Sequence, residues 1–223
     1  MKLNTKTIRE MASEGERLDG REFDEYREIQ IDKNYIPTTA QGSARVKIGN
    51  TQVVVGISFD VESPYDDRPA SGTIVTNAEL APMAAREFES GPPQEQGVEL
   101  ARVVDRGIRE SEAIDLEALC IEEGEAVYTV FIDVHVLNDN GNLLDASALG
   151  AIAALQDGFV PAYDEETGEM DHDEVGMEDI PMTKEPVTAT GRKIGDQILW
   201  DTTSEEEEAL GSRLTVTLTE ENK

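Results

Sequence analysis

Residues 97–111 read GVELARVVDRGIRES, and in them Val98, Leu100, Ala101, Val103, Val104 and Ile108 recur at helical spacing. At about 100° per residue, Arg102, Arg106 and Arg109 fall within a narrow arc on the other side, so three guanidinium groups share one helix face. Residues 126–137, AVYTVFIDVHVL, alternate as a strand does: Tyr128, Val130, Ile132, Val134 and Val136 on one face, Asp133 and His135 on the other. Asn140-Gly141 makes a turn, and residues 142–155, NLLDASALGAIAAL, form a helix of small residues able to pack closely on a sheet. Helix, strand, tight turn and buried helix together predict the core of an α+β domain with one basic edge.

The chain outward from this core reads consistently with that class. Asn4 or Thr5 is placed to cap a first helix running to about Glu14, with Ile8, Met11 and Ala12 as its apolar side. Arg17-Leu18-Asp19-Gly20-Arg21 is a charged turn, which an Asp–Arg staple accounts for as well as a ligand contact does, and Tyr26 to Ile31 reads as a first strand. Gly42 to Ile48 and Thr51 to Phe59 flank Gly49-Asn50, a hairpin signature, and the nearly all-apolar second strand belongs in the middle of a sheet. Asp60 to Gly72 is a polar loop carrying Arg68, Thr73 to Leu80 a short strand, and Ser90-Gly91-Pro92-Pro93 breaks the chain before the central helix. Beyond it, Val187 to Thr190 and Gln197 to Thr202 read as paired strands around residues 191–196. Ser204 to Leu210 reads as a short helix with Ser204 as its cap, and Arg213 to Thr219 as a last strand.

At 223 residues, one compact domain covering 1–223 is expected. The single Cys120 excludes an internal disulfide and a cysteine-based zinc site; with no signal peptide and no apolar run long enough to span a bilayer, a reducing cytoplasm and no membrane partner are the expectation. Met170-Asp171-His172-Asp173-Glu174 has donor types that suit a divalent ion, but it sits in an acidic stretch without periodicity, and no metal or cofactor is expected. The net charge of −29, from 48 acids against 19 bases, would ordinarily repel nucleic acid. It fits either a cationic partner or adaptation to very high salt, where a Debye length of about 3 Å at 1 M leaves only local geometry to count.

Several of these stretches resemble one family in register. ELARVVDRGIRES, IDLEAL at 114–119, the strand ending VFIDVHVL, and GNLLDASALGAIAAL are similar to the non-catalytic RNase PH-like subunit of the archaeal exosome. RLDGREFDEYR at 17–27, GSARVKIGNTQVVVGI at 42–57 and ESGPPQ at 89–94 extend the resemblance over nearly the whole chain. It implies the RNase PH-like α+β fold, with mixed β-sheets packed with α-helices. It also implies a further strand and a carboxy-terminal helix that the family has and this sequence lacks. By resemblance, the subunit alternates with a catalytic RNase PH-like paralogue in a hexameric ring, a trimer of heterodimers. RNA-binding cap subunits sit on the ring, and single-stranded RNA is degraded from its 3′ end by phosphorolysis at the paralogue.

Catalysis of that kind needs a glycine-rich turn with hydroxyl and Arg donors to hold phosphate at a helix N-terminus, and a carboxylate pair beside it. The active branch of the resembled family carries a Gly-Thr-Arg or Gly-Ser-Arg turn; the matching position here reads Gly141-Asn142-Leu143-Leu144-Asp145, with the Arg gone and an Asp in its neighbourhood. Asp201 matches the first carboxylate and Glu207 stands near the second. They are expected to be vestigial, with Asp201 ending a strand and Glu207 on a solvated helix. No catalytic residue is therefore assigned. The resemblance places Arg102 and Arg106 on the RNA path; Arg109 and Arg68 are further candidates for RNA contact. Against these assignments, Glu99, Asp105 and Glu110 lie three or four residues from the helix arginines, so ordinary helix ion pairs are the competing account, and Arg68 is equally a solvated loop charge. Two other readings remain: an active phosphorolytic 3′-to-5′ exoribonuclease using Asp201, and an unrelated acidic binding protein.

Overall fold

A computed structural model describes residues 5–164, 169–171 and 178–221. In chain order the elements are α1 (Thr5–Glu14), β1 (Ile29–Lys33), β2 (Gly42–Ile48), β3 (Thr51–Glu62), β4 (Thr73–Leu80) and α2 (Glu95–Arg109). There follow β5 (Cys120–Glu122), β6 (Ala126–Asn138), α3 (Leu143–Leu155), β7 (Ala162–Asp164) and β8 (Glu169–Asp171). The last are β9 (Val187–Ile194), β10 (Gln197–Trp200), α4 (Ser204–Glu207) and β11 (Ser212–Leu218). The main sheet runs β1-β2-β3-β6-β4, with β5 also on β6; it is antiparallel except for the parallel pair β4–β6, which α2 bridges. A second sheet has the order β10-β9-β11. The predicted α+β architecture of mixed sheets and helices is therefore the one observed.

The β2–β3 hairpin turns at Gly49-Asn50 with Ile48 opposite Thr51, as the sequence predicts. The inward residues of β6, Val130, Ile132, Val134 and Val136, are buried, as are Val53, Val55 and Ile57 of β3, while Asp133 and His135 lie on the outer face. α3 is buried nearly all round because it is packed on β2 and β3 on one side and on β9 on another. Its small residues permit this: a Cβ added at Gly150 would stand 2.9 Å from a Val55 methyl.

Some boundaries differ from the sequence reading. β1 starts at Ile29 rather than Tyr26, and it is an exposed edge strand. The residues before it are drawn inward instead, Tyr26 Oη donating to Asp145 and the Arg27 guanidinium to Asp201. β9 continues through the charged run Gly191–Ile194, so that the turn is only Gly195-Asp196. Thr203, not Ser204, caps α4: its hydroxyl accepts from the Glu206 N–H while Glu206 accepts from the Thr203 N–H. Val98, placed on the apolar side of α2, is 43% exposed, since Leu100, Val104 and Ile108 alone form the buried stripe with Gly97.

Candidate nucleic-acid interface

α2 packs on β4 and α3 through its buried stripe, leaving a polar side outward. On that side Glu95, Val98, Glu99, Arg102, Val103 and Arg106, with Gln94 and Gln96, line an open groove of about 670 Å³. Arg102 and Arg106 are exposed, one turn apart, and have no ion pair or side-chain hydrogen bond among the described residues. The helix ion pairs that would explain them away are thus absent for these two. They are present for Arg109: its guanidinium donates to both Asp105 oxygens, at 3.1 and 2.8 Å, and to the Ile74 carbonyl at 2.8 Å. Hydrogen bonding to Asp105 raises the Arg109 pKa, outweighing the burial that opposes it. Arg109 therefore ties the end of α2 to β4, and it lines a different cavity, beside Ser71 and Lys184. Arg68 sits on an exposed loop, its nearest acid, Asp67, 4.0 Å away. The structure places it with neither of the other groups.

The turn before α3 is held from several sides. Gly141 has φ +83°, and a Cβ there would lie 2.4 Å from the Thr202 carbonyl oxygen, so no other residue fits between turn and strand end. Asn142 follows in the left-handed region at φ 59°, and its N–H, one of the free donors at the helix start, points to Glu207 Oε1 at 2.8 Å. The same carboxylate receives the Arg192 guanidinium at 3.0 Å and the Thr202 hydroxyl at 3.2 Å. Glu207 is thus more than a solvated helix residue: its side chain is 32% exposed, yet its carboxylate takes the Asn142 N–H at the N-terminus of α3, where an anion is favoured. What space remains, lined by Gln96, Glu99, Leu143, Arg192, Glu207 and Arg213 among others, is about 30 Å³, room for about two water molecules. Asp145 is buried and engaged elsewhere, accepting from Tyr26 Oη, Thr190 N and Thr190 Oγ1.

Asp201 follows β10 with φ 45° and is fully buried. It accepts five hydrogen bonds: from Arg21 Nη1, from Arg27 N, Nε and Nη2, and from Asn142 Nδ2, at 2.7–3.0 Å. Burial by itself would raise its pKa, but Arg27, through its side-chain and backbone donors and its charge, holds the carboxyl below the ordinary aspartate value. Such a group is ionised at neutral pH with its lone pairs spoken for; it has no proton to donate and no oxygen free for a metal. Arg17 completes the cluster, donating to both oxygens of the buried Glu206 at 3.0 and 2.8 Å and to the Trp200 and Asp201 carbonyls. The charged turn at 17–21 is therefore structural, with Arg21 also stapled to Asp19 at 2.7 Å.

Sequence reasoning located Arg102, Arg106, Asp201 and Glu207 but missed Arg27, Arg192 and Arg213 as their neighbours. A signal for the first was available in the quoted run RLDGREFDEYR, which ends on Arg27. Among the described residues no group of three or more His, Cys, Asp or Glu side chains is placed to hold a metal ion, and no helix is long and apolar enough to cross a membrane. Most of the Met170–Glu174 run, His172 to Glu174, lies outside the described residues.

The profile of the 3′ exoribonuclease family, domain 1 (RNase PH), matches residues 25–161, more than half of the chain. The chain is 51% identical over 215 residues to the exosome complex component Rrp42 of Thermococcus onnurineus, covering 95% of this chain and 78% of that one. To the Rrp42 component of Archaeoglobus fulgidus it is 52% identical over 204 residues, covering 92% and 76%. A solved structure of the Archaeoglobus fulgidus exosome with RNA bound to the active site superposes with a TM-score of 0.89 at 47% identity, covering 98% of this chain and 83% of that one. An archaeal exosome core gives 0.84 at 45% identity, covering 98% and 81%.

Proposed function

We propose, for a chain that belongs to the RNase PH family of 3′ exoribonucleases, the role of a non-catalytic, RNA-holding subunit of an archaeal exosome. The observation that carries the reading is that the Asn142 N–H at the α3 N-terminus and the Arg192 guanidinium beside it are already taken by this chain's own Glu207. Inorganic phosphate would have to displace a carboxylate held by Asn142 N, Arg192 and Thr202, because the free space beside it is only about 30 Å³. Asp201, the other candidate for chemistry, is locked as a carboxylate by Arg21 and Arg27.

What the chain offers instead is the groove of α2. Two unpaired arginines one turn apart, in a protein with 48 acids, are suited to bidentate contact with successive phosphates. In this reading the chain alternates with a catalytic RNase PH-like paralogue in a hexameric ring carrying RNA-binding cap subunits, in the cytoplasm. The paralogue supplies phosphate binding and the catalytic carboxylate, and Arg102 and Arg106 help to hold single-stranded RNA beside that site.

The test has two arms. The purified chain alone, given poly(A), phosphate and magnesium, is expected to release no nucleoside diphosphate; phosphate-dependent shortening would overturn the non-catalytic assignment. In the assembled complex, Arg102→Glu with Arg106→Glu is expected to leave the ring intact and slow degradation. Each lost charge-assisted contact should weaken RNA holding by about 1.5–3 kcal/mol before salt screening. Wild-type degradation by an intact ring would make the pair a solvated helix face, and failure of the ring to form would place both arginines in a subunit interface.

A further inference from the structure

Glu99 stands three residues before Arg102 on the outward side of α2 and borders the same groove. A bare carboxylate there would repel the phosphate that Arg102 and Arg106 are placed to hold. Glu99 also borders the small cavity at the start of α3, and from that side it is met by Arg213 of β11, whose Nη2 pairs with Glu99 Oε1. Strand register sets Arg213 opposite Arg192, but the two guanidinium groups serve different acids: Arg192 is taken by Glu207 and Asn142. Among the described residues Glu99 is the one ion-pair partner of Arg213. Both side chains are part-exposed, 36% for Arg213 and 49% for Glu99, so the pair is formed at the rim of the groove.

We infer that Arg213 is a positioning residue of the groove: it neutralises Glu99 and turns that carboxylate away from the path of the RNA backbone. This rests on the reading of the groove as an RNA path. Arg213 does not itself hold RNA in this account; it keeps the field of Arg102 and Arg106 from being cancelled by an acid three residues away. The second sheet is thereby coupled to α2, because β11 carries the arginine that conditions the helix.

The experiment measures binding of a fluorescein-labelled single-stranded oligoadenylate to the full chain. Arg213→Ala is expected to weaken binding roughly two- to fivefold at low salt, the size of a surface charge effect, and the defect should shrink as KCl is raised. Adding Glu99→Gln to it is expected to return affinity to within about twofold of wild type, because the exposed charge is gone. A double variant as weak as Arg213→Ala would make Arg213 a direct RNA ligand and overturn the inference. Glu99→Gln alone, a change at an exposed position, should leave binding unchanged or tighten it, because Arg213 already masks that charge and is freed by its loss; weaker binding overturns the inference even if Arg213→Ala fails to fold. Arg102→Ala with Arg106→Ala separates the two levels. If it leaves affinity unchanged, the groove is not an RNA path and both readings fall; if it weakens binding while Arg213→Ala does not, only the masking role falls.

Discussion

Asp201 shows how a residue that reads as catalytic can be structural. Its five donor atoms come from Arg21, Arg27 and Asn142, in segments that precede it by 59 to 180 residues, and removing its charge would leave Arg27 and Arg21 facing each other in a largely buried site. Asn is the informative replacement, because it keeps the shape and tolerates the left-handed φ of 45°. Asp201→Asn is expected to cost about 3–5 kcal/mol in urea unfolding, the scale of breaking a buried ion pair. The sign of its pH dependence follows from the depressed pKa. A carboxyl whose folded pKa lies below its unfolded value contributes stability above the unfolded value, about pH 4, and loses it as pH falls through the folded one. The gap between wild type and Asp201→Asn should therefore be full near neutrality and narrow below about pH 4. A gap that does not change with pH would mean that geometry, not charge, is what Asp201 provides.

The junction of α3 with the end of β10 is where element-scale packing sets the site. Gly141 and Gly124 both have positive φ, +83° and +80°, but a Cβ at Gly141 meets the Thr202 and Thr203 backbone at 2.4–2.5 Å while one at Gly124 meets nothing within 4 Å. Gly124→Ala should cost about 1 kcal/mol for the left-handed conformation alone, and Gly141→Ala about 2 kcal/mol or more beyond that, as measured by chemical denaturation. Equal costs would show that the turn can move away from β10. The elements themselves were largely legible: β4, β6, the β2–β3 hairpin and α3 are written in period and turn chemistry that local physics enforces. What failed has a common cause. Tyr26 and Arg27 read as strand because their partners, Asp145 and Asp201, are more than a hundred residues away. Residues 191–194 read as a loop because their charge is unfavourable in a sheet until Arg192 meets Glu207. Arg102 and Arg106 were legible because helical period alone aligns them, whereas whether an arginine is free or spent, as Arg109 is on Asp105, depends on contacts that period does not record.

For the molecule as a whole, the charge is distributed in a way that sharpens the salt question. Arg17, Arg21, Arg27 and Arg192 are largely withdrawn from solvent, paired with Glu206, Asp201 and Glu207. Because these arginines are withdrawn together with nearly as many acids, the remaining surface carries almost the whole of the net −29, and its self-repulsion is that of the full excess. The two populations respond differently to salt. Buried pairs are screened little, while repulsion among exposed carboxylates falls as the Debye length drops from ~10 Å in 0.1 M salt to ~3 Å in 1 M. Added KCl should therefore remove a destabilising contribution without weakening the cluster that ties the N-terminal segment, α3 and α4 together. The melting temperature, followed by circular dichroism, is expected to rise steadily with KCl into the molar range. The Asp201→Asn variant should rise in parallel, offset downward, since its loss lies in the unscreened cluster. A wild-type melting temperature that is flat or falls with KCl would show that the acidic surface is not limiting stability by self-repulsion. The charge would then be accounted for by a cationic partner that neutralises it.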